Sequence, residues 1–442
     1  MIPKKTLKNQ GSLFFSLEDT LNQKHPLYIL SNKVNWQLFE DAFLPLYCKN
    51  NGRPAKPIRL MVGLLILKHL RNISDESVVE QWSENLYYQY FCGMMEFYAS
   101  APCEASELVH FRKRIGESGI ELIFKESIRI NGDDSNDEHG SADTTVQEKN
   151  ITFPTDSKLH RKIIKKSLEI VAKENISIRQ SYSRILKKLS VDQRFRNHPK
   201  NKLKARKADK KVKTIAGRLV RELKRNLPAN SVYLTDLNLF TQVLEQKRNT
   251  HNKIYSLSEP DVTCISKGKE HKKYEFGNKV SVILTQNTGV IVGAMGFRNE
   301  FDGHTLEPAL NQVERLVGKA LKTVTADRGY RGNLQIGQTL VQIPKPFSKK
   351  QTKYQQKKLK NAYKQRAAIE PIIGHLKTDH RLNRNFYKGI FGDNINILLA
   401  SAAFNFKRMM NKWKNQIKDF FIQFFQTLYF WFWINFKNNL AF

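Results

Sequence analysis

The chain has 442 residues, of which 40% are hydrophobic, and this composition suits two or three folded domains rather than a disordered chain. Lysine and arginine number 74 against 41 aspartate and glutamate, giving a formal net charge of +33. Such a charge repels itself unless an anionic partner offsets it, which favours nucleic acid. The basic residues are spread over the whole chain, which argues against a single membrane-surface anchor.

The four cysteines form no pair and no cysteine–histidine spacing typical of a zinc site: Cys48, Cys92, Cys103 and Cys264. A reducing compartment fits them best. The N-terminal segment MIPKKTLKNQ is polar and basic, and no apolar core of a signal peptide follows it. We therefore expect a cytoplasmic protein.

Residues 1–130 are predicted to be mostly helical. NWQLFEDAFLPLY and PIRLMVGLLILKHL carry apolar residues at helical spacing, and Ser74, Asp75 and Ser77 are candidate caps for the helix that follows. Two helices around a tight turn are compatible with a helix-turn-helix, although most helical hairpins bind no DNA. FRKRIGESGIELIF is expected to close this domain, and NGDDSNDEHGS to be a linker.

After the linker, Thr144, Thr145 and Val146 favour a short strand that starts at Asp143. Taken alone, an acid at the start of a strand is most often a turn or edge residue.

The segment 158–225 is strongly basic, with 24 lysines and arginines against five acids. Its apolar residues recur at helical spacing, which predicts basic helices in an insertion of about 157–250. A solvated face is one interpretation of these cations. Phosphate binding is favoured, because dense cations release counterions when they contact a duplex.

From about residue 260 the pattern changes to strands. KKYEFGNKVSVILTQ and GVIVGAMGFRN predict a hairpin that turns through Asn287, Thr288 and Gly289, and EPALNQVERLVGKAL predicts a helix. KTVTADRGYRG then predicts a short strand ending at Asp327. An acid at the carboxyl end of an α/β strand lies where catalytic groups gather, although a turn-capping aspartate is commoner.

The segment YKQRAAIEPIIGHLK predicts a helix with one polar face and one apolar face. The polar face carries Tyr363, Arg366, Glu370 and Lys377. The apolar face, expected to pack on a core, carries Ile369, Ile372 and Ile373. A solvated face with ordinary charge pairs is the plain interpretation of the polar side. Pro371 predicts a kink or a restart of the helix just after Glu370.

The polar spacing resembles, residue for residue, the YREK signature of bacterial insertion-sequence DDE transposases. Two upstream motifs resemble the same group, namely DTTVQEKNITFPTD, which contains Asp143, and DRGY, which contains Asp327. GRPAKPIRLMVGLLILKHL resembles part of the N-terminal domain of these proteins. The resemblance covers about residues 25–415 and implies an α/β protein. Its ribonuclease-H-like catalytic core would carry a basic helical insertion and follow an all-α N-terminal domain.

The resemblance assigns Asp143, Asp327 and Glu370 as catalytic carboxylates and as ligands of two Mg²⁺ ions, for which Mn²⁺ is an alternative. Phosphodiester cleavage uses two ions about 3.5–4 Å apart, and Mg²⁺ takes oxygen ligands. Asp143 is implied to bridge the two ions. Asp156 and Asp379 are reserve candidates for the third carboxylate, but neither has the matching spacing.

Four residues are implied to contact DNA, with arginine as a two-pronged donor and lysine as a point charge: Tyr363, Arg366, Lys377 and Arg328. Structural pairing with Glu370 is the alternative for the first three. Asp302 and His304 in EFDGHTLEP either support the carboxylates from behind or belong to a loop turn. In the second case Thr305 caps the next helix.

The resemblance implies a DNA-binding domain at 1–130, a catalytic domain at 131–415 and an aromatic tail at 416–442. GDNINILLASAAFNFKRMMNKW is predicted to be a helix that packs on the catalytic core. The tail DFFIQFFQTLYFWFWINF is borderline in length for a membrane span. Three polar residues interrupt it: Gln423, Gln426 and Asn435. We expect a packed helix or a self-association patch instead.

The predicted function is that of an insertion-sequence transposase, which cuts double-stranded DNA at the terminal inverted repeats of its element and joins the freed 3′ hydroxyl to target DNA. By resemblance we also expect a homo-oligomer in the bacterial cytosol, associated with the nucleoid and not with a membrane. One alternative is a ribonuclease-H-like nuclease that only hydrolyses. The other is a DNA-binding repressor or an inactive transposase relic.

Overall fold

The computed structural model describes residues 16–48, 50–247, 249–250, 252–266, 273–298, 300–332, 334–343 and 352–439. The chain divides into two compact units. We call them the discontinuous unit, formed within 1–147, 279–387 and 391–442, and the inserted unit, formed within 148–278 and 388–390.

The first part of the discontinuous unit is helical, as the sequence predicted. Its helices are α1 Leu17–Thr20, α2 Pro26–Lys33, α3 Trp36–Phe43, α4 Ile58–Leu70, α5 Asp75–Glu84, α6 Leu86–Phe91 and α7 Ala105–Ile130. Ser74 caps α5, because its side chain accepts a hydrogen bond from the backbone N–H of Ser77 at 3.1 Å. Gly116, with φ of +69°, interrupts α7.

The described residues form the strands β1 His139–Lys149, β2 Thr263–Ser266, β3 Tyr274–Thr285, β4 Ile291–Phe297, β5 Thr323–Thr325, β6 Gln335–Ile336, β7 Thr339–Gln342 and β8 Arg384–Asn385. In the discontinuous unit the order is β3-β1-β5-β7-β6, with β4 beside β3 and β8 beside β1. Strands β1, β5 and β7 run parallel, whereas β3 pairs antiparallel with β4, as the predicted hairpin requires. In the inserted unit β2 pairs antiparallel with residues 274–277.

The remaining helices are distributed over the two units. They are α8 Asp156–Lys173, α9 Ser183–Asp192, α10 Pro199–Asn226, α11 Leu234–Glu245, α12 Asp302–Val317, α13 Lys353–Ala367, α14 Ile369–Asp379 and α15 Gly389–Asn439. Helices α8 to α11 make the predicted basic insertion helical. They enclose a core of their own that includes Ile163, Val212 and Phe240.

The discontinuous unit has one large core that joins the N-terminal helices, the sheet, α12 and α15. Ile395 and Phe406 of α15 are buried in it, in agreement with the predicted packing of that helix. The predicted tail lies partly outside the described residues, since nothing is described of residues 440–442. Among the described residues, no helix combines the length and the apolar character needed to cross a bilayer.

Strand β1 starts earlier than the sequence predicted. The predicted linker ends at Ser141, but Gly140 and Ser141 already pair in parallel with Val324 and Thr325 of β5. Asp143 is therefore the fifth residue of an 11-residue strand rather than its first. Small residues with weak strand preference are held there by the neighbouring strand, a tertiary effect that local sequence does not show.

Helix α12 also starts earlier, at Asp302, so the predicted loop turn capped by Thr305 is wrong. Thr305 lies inside the first turn, and its hydroxyl donates a hydrogen bond to the carbonyl of Asp302 at 2.8 Å.

The predicted break after Glu370 lies two residues earlier, at Ala368, between α13 and α14. Pro371 explains the position, because its ring clashes with the carbonyl four residues before it and it donates no backbone hydrogen bond. A helix that restarts at Ile369 places the proline in the first turn, where no donor is needed. Apart from these details, the mixed α/β architecture confirms the predicted fold class with its ribonuclease-H-like core.

Candidate active site

Asp143 and Asp327 are brought together by two neighbouring parallel strands. Strand β1 pairs with β5 in a register that sets Ser141 opposite Thr325. Two residues further along, Asp143 lies within β1 and Asp327 lies just past the end of β5, so the register places the two carboxylates side by side. Side chains at the carboxyl ends of parallel strands commonly form ligand and catalytic sites in α/β proteins.

Glu370 reaches the same place from the first turn of α14. The guanidinium of Arg366, on the preceding helix α13, lies among all three acids. Its Nη2 is 3.9 Å from Asp143 Oδ2 and 3.9 Å from Asp327 Oδ2, and its Nη1 is 3.4 Å from Glu370 Oε1. Three carboxylates from three separate elements therefore surround one cation.

The three acids differ in exposure. The side chain of Asp143 is 16% exposed, that of Asp327 35% and that of Glu370 61%. Arg366 is itself 26% exposed, and among the described residues its buried Nε has no hydrogen-bond partner. The site is therefore enclosed at Asp143 and open to solvent at Glu370.

Backbone donors fix the two strand-borne carboxylates. The N–H of Thr144 donates to Asp143 Oδ1 at 2.8 Å, and the N–H of Gly329 donates to Asp327 Oδ1 at 2.7 Å. Each bond holds one carboxylate oxygen toward its own backbone. In both residues the second oxygen, Oδ2, is the one that faces Arg366.

Asp302 is a fourth carboxylate beside the site. Its Oδ1 accepts hydrogen bonds from the hydroxyl of Thr144 at 2.7 Å and pairs with Lys279 Nζ at 2.9 Å. A Cβ built on Gly329 would lie 2.9 Å from Asp302 Oδ2 and 3.0 Å from Asp327 Oδ1, so these two acids flank the same glycine. Of the two sequence interpretations of Asp302, this placement favours support of the carboxylates that were predicted to be catalytic.

Tyr330 lies fully buried close to these acids. Burial raises the pKa of its hydroxyl, and the negative charges of Asp302 and Asp143 raise it further. The side chain is therefore a neutral phenol at physiological pH. This tyrosine was not singled out in the sequence, where the DRGY motif drew attention to Asp327 and Arg328.

The four residues that were predicted to contact DNA do not form a single cluster. The exposed Arg328 donates from Nη2 to the hydroxyl of Tyr363 at 3.3 Å, so these two lie together, whereas Arg366 faces the acids. Lys377 is half-buried on α14, about two turns beyond Glu370.

The reserve carboxylates are engaged elsewhere. Asp379 accepts hydrogen bonds from Thr378 at 2.7 Å and pairs with His375 at 2.8 Å, and these contacts lower its pKa. Asp156 belongs to the inserted unit and pairs with Lys253 at 3.1 Å. His304 is exposed, with its ring edge-to-face on Phe301.

The donor chemistry of the site fits a divalent cation. Carboxylate oxygens are the ligands that Mg²⁺ and Mn²⁺ prefer, and here three carboxylates already surround one positive group. As they stand around Arg366, no three acidic, histidine or cysteine side chains of the described residues form a group ready to share an ion. An ion bound by Asp143, Asp327 and Glu370 would take over the balancing role of the guanidinium.

Comparison with known proteins gives two family matches, one in the N-terminal part of the chain and one in its second half. A family model described as a transposase domain (DUF772) matches residues 15–114, and one described as a transposase DDE domain matches residues 251–406. The second range contains Asp327 and Glu370, whereas Asp143 precedes it.

A relative from Rhizobium meliloti, described as an uncharacterized protein, ORF8 in the nfe locus, is 39% identical over 204 residues. These residues make up 45% of this chain and 98% of the relative. No solved structure gives a significant match.

Proposed function

The chain belongs to the DDE transposases of insertion sequences, and we propose that it cuts DNA at the ends of its element and joins the freed 3′ hydroxyl to a target. Membership of this family implies a DNA substrate and dependence on a divalent metal ion. The observation that carries the proposal is the convergence of Asp143, Asp327 and Glu370 on Arg366 from a strand, a strand end and a helix.

In the proposed mechanism, Asp143, Asp327 and Glu370 would hold two Mg²⁺ or Mn²⁺ ions. When bound, such ions activate the attacking water or hydroxyl and stabilise the leaving oxygen. Asp143 is the least exposed of the three and lies on a strand paired on both sides, which supports its assignment as the shared ligand. Asp327 and Glu370 are more exposed and would each complete one coordination sphere.

The chain's own cations would hold the DNA. Arg328 and Tyr363 lie together at the exposed side of the site and would bind the backbone phosphate next to the scissile bond. Arg366 would turn to the same phosphate once ions balance the three acids. Lys377 is proposed to contact the strand further along α14. We further propose that the N-terminal helices recognise the element's ends and that the protein acts as an oligomer on paired ends.

The test uses a labelled duplex carrying the element's own ends, with Mg²⁺ or Mn²⁺, and follows binding, cleavage and strand transfer together. Glu370→Gln is expected to bind the ends as wild type does but to lose cleavage and transfer by a factor of at least about 100, since one metal ligand is lost. Asp379→Asn, on the same helix, is the matched control and should remain active.

The other outcomes are distinct. If Glu370→Gln cuts as wild type does and Asp379→Asn does not, the third carboxylate is Asp379. If the wild type cuts but never joins, the protein is a hydrolytic nuclease. If it binds the ends and no divalent ion supports cleavage, a repressor or an inactive relic replaces the transposase.

A further inference from the structure

The inserted unit contains an open cavity of about 500 Å³ at the start of α8. Its lining comes from the start of α8, from α10, and from Arg196 and Lys253. We propose that this cavity binds one phosphate group of the DNA backbone, through His160, Lys210 and Lys213. The inference rests on the proposed function in taking DNA as the ligand, but none of the three carboxylates that would do the chemistry lines this cavity.

His160 is a polar residue of the cavity whose ring is available to bind a ligand. Its side chain lines the cavity and is only 6% exposed, and none of the described residues makes a hydrogen bond to its ring. Burial lowers its pKa, and the charge of Lys213 lowers it further, so the ring is neutral with one N–H donor. A phosphate oxygen would accept a hydrogen bond from this donor.

The charges of the cavity leave two cations for an anion. Arg196 pairs with Asp209 at 2.9 Å, and Lys253 pairs with Asp156 at 3.1 Å, so these four groups balance one another. No carboxylate in the described part of the chain lies within ion-pair distance of Lys210 or of Lys213. These two lysines are one turn apart on α10 and are exposed at the cavity.

The first turn of α8 adds to this preference for an anion. The helix has 18 residues, and Thr155 caps it by accepting a hydrogen bond from the N–H of Lys158 at 3.3 Å. The N–H groups and the dipole of a helix start favour negative charge. His160 lies one turn further along α8, and residues 155–157 at the start of this helix line the same cavity.

A groove next to the cavity favours a polymer with several phosphates over a small phosphate compound as the ligand. The groove, of about 620 Å³, lies between α10 and α11 and shares Lys210 and Lys213 with the cavity. Arg221 and Lys224 continue the same face of α10. From Lys210 to Lys224 this row of cations spans about 21 Å, which corresponds to the rise of roughly six base pairs along the axis of a DNA duplex.

The experiment compares full-length wild type with His160→Gln, Lys213→Gln and Lys211→Gln. Lys211 is an exposed lysine of the same helix outside the cavity, so its variant removes the same charge without touching the proposed site. Inorganic phosphate binding is measured by calorimetry and by ³¹P NMR, and binding of a labelled duplex of arbitrary sequence is measured over a range of salt concentrations. Circular dichroism checks folding; because Lys213 is exposed, its variant keeps the test decisive if His160→Gln unfolds.

We expect both cavity variants to weaken phosphate binding roughly tenfold and duplex binding by a similar factor, since each loses a hydrogen bond to a charged group. Lys211→Gln should leave phosphate binding unchanged. Equal losses in Lys211→Gln and Lys213→Gln would overturn the proposal in favour of a diffuse basic surface. Loss of phosphate binding with unchanged duplex binding would overturn DNA as the source of the phosphate. Neither readout involves cleavage, so a failure here is distinct from a failure of the transposase assignment.

Discussion

At the scale of single residues, Arg366 occupies the position that a metal ion would have to share. Its guanidinium is 3.4–3.9 Å from oxygens of Asp143, Asp327 and Glu370. Two unit charges 4 Å apart interact by about 4 kcal/mol near a protein surface and by about 1 kcal/mol in water. A metal ion bound by the same acids therefore has to displace the guanidinium of Arg366 or is repelled by it.

Replacing Arg366 by glutamine is therefore expected to tighten Mn²⁺ binding to the DNA-free protein roughly tenfold, even if DNA cleavage falls. Titration calorimetry or metal-induced thermal stabilisation measures the affinity without any activity. Arg328→Gln removes a guanidinium that bonds Tyr363 instead, and should leave the affinity unchanged. An unchanged affinity in Arg366→Gln would show that this arginine does not compete with the ion.

Gly329 separates two carboxylates of the site. A methyl group there would lie 2.9 Å from Asp302 Oδ2 and 3.0 Å from Asp327 Oδ1, closer than carbon and oxygen normally approach. Gly329→Ala should push these side chains apart and lower metal-dependent cleavage at least about tenfold, with a stability loss of about 1 kcal/mol. Gly374→Ala on α14 is the control, because nothing lies within 4 Å of its Cβ position. Similar cleavage by both variants would contradict this view of the site.

The sequence predicted most residues of the candidate site but not how they are arranged in space. The motifs that contain Asp143, Asp327 and Glu370 predicted the three acids, because side-chain type and spacing are local properties. Arg366 was predicted to contact DNA, with pairing to Glu370 as the alternative, and this pair is present at 3.4 Å. Its contacts with Asp143 and Asp327 were not predicted, because they join residues that are far apart in the sequence. The same holds for Asp302, whose contacts with Thr144 and Lys279 depend on strand pairing.

At the scale of elements, β4 and α12 approach each other closely at Gly293. A Cβ on this residue would lie 2.7 Å from Val313 Cγ2 and 3.3 Å from Ile283 Cβ, all within the buried core. Helix α12 carries Asp302 in its first turn, so this contact also sets the position of one carboxylate beside the site.

Gly293→Ala should therefore destabilise the protein by about 1–3 kcal/mol through overpacking. Val313→Ala removes the methyl group that clashes, so the double variant should lose less than the sum of the two single variants. Urea unfolding followed by tryptophan fluorescence measures all four proteins. Additive losses would mean that the two elements do not meet at this glycine.

The sequence predicted which segments form helices and strands better than it predicted the residues at which these elements begin and end. The hairpin β3–β4 and the helices of the insertion follow from periodic apolar residues, which determine local structure directly. The starts of β1 and α12 were missed because pairing with β5 and burial of Thr305 extend elements into segments that read locally as turns. The break at Ala368 was misplaced because the clash of Pro371 acts four residues back along the chain.

At the scale of the molecule, most of the inserted unit, residues 148–278, lies in the sequence between Asp143 and Asp327, and residues 388–390 complete it. A change from strand-like to basic helical composition predicted such an insertion, whereas its compactness as a unit depends on long-range packing. The predicted domain boundaries at residues 130 and 415 stay predictions. The discontinuous unit has to be held together by contacts between parts of the chain that are far apart in sequence.

One such contact is a buried ionic cluster formed by Asp75, Lys68, Arg112 and Tyr387. Asp75 accepts two hydrogen bonds from Arg112, both at 2.8 Å, and one from Lys68 at 2.8 Å. Lys68 also donates to the hydroxyl of Tyr387, whose ring lies 4.5 Å from the Arg112 guanidinium. The cluster connects α4, α5 and α7 to the segment that leads into α15.

The pKa of Asp75 makes this connection sensitive to acid. Burial raises that pKa, but the hydrogen bonds and charges of Arg112 and Lys68 outweigh burial and lower it from 3.8 to about 2. A carboxyl with a depressed folded-state pKa stabilises the protein above its unfolded pKa and loses this contribution as pH falls through the folded pKa. The group should therefore contribute about 2 kcal/mol to the free energy of unfolding near neutral pH, lost between about pH 4 and pH 2.

Asp75→Asn should remove this part of the pH dependence and destabilise the discontinuous unit at pH 7 by about 3–5 kcal/mol, because Lys68 and Arg112 stay buried without their counter-charge. Urea unfolding at several pH values measures both effects. All five tryptophans lie outside residues 148–278, so their fluorescence reports on this unit. Asp41→Asn, which changes an exposed acid bonded to Gln37, should cost less than about 1 kcal/mol. If Asp75→Asn kept the acid dependence of wild type, other carboxylates would have to account for it.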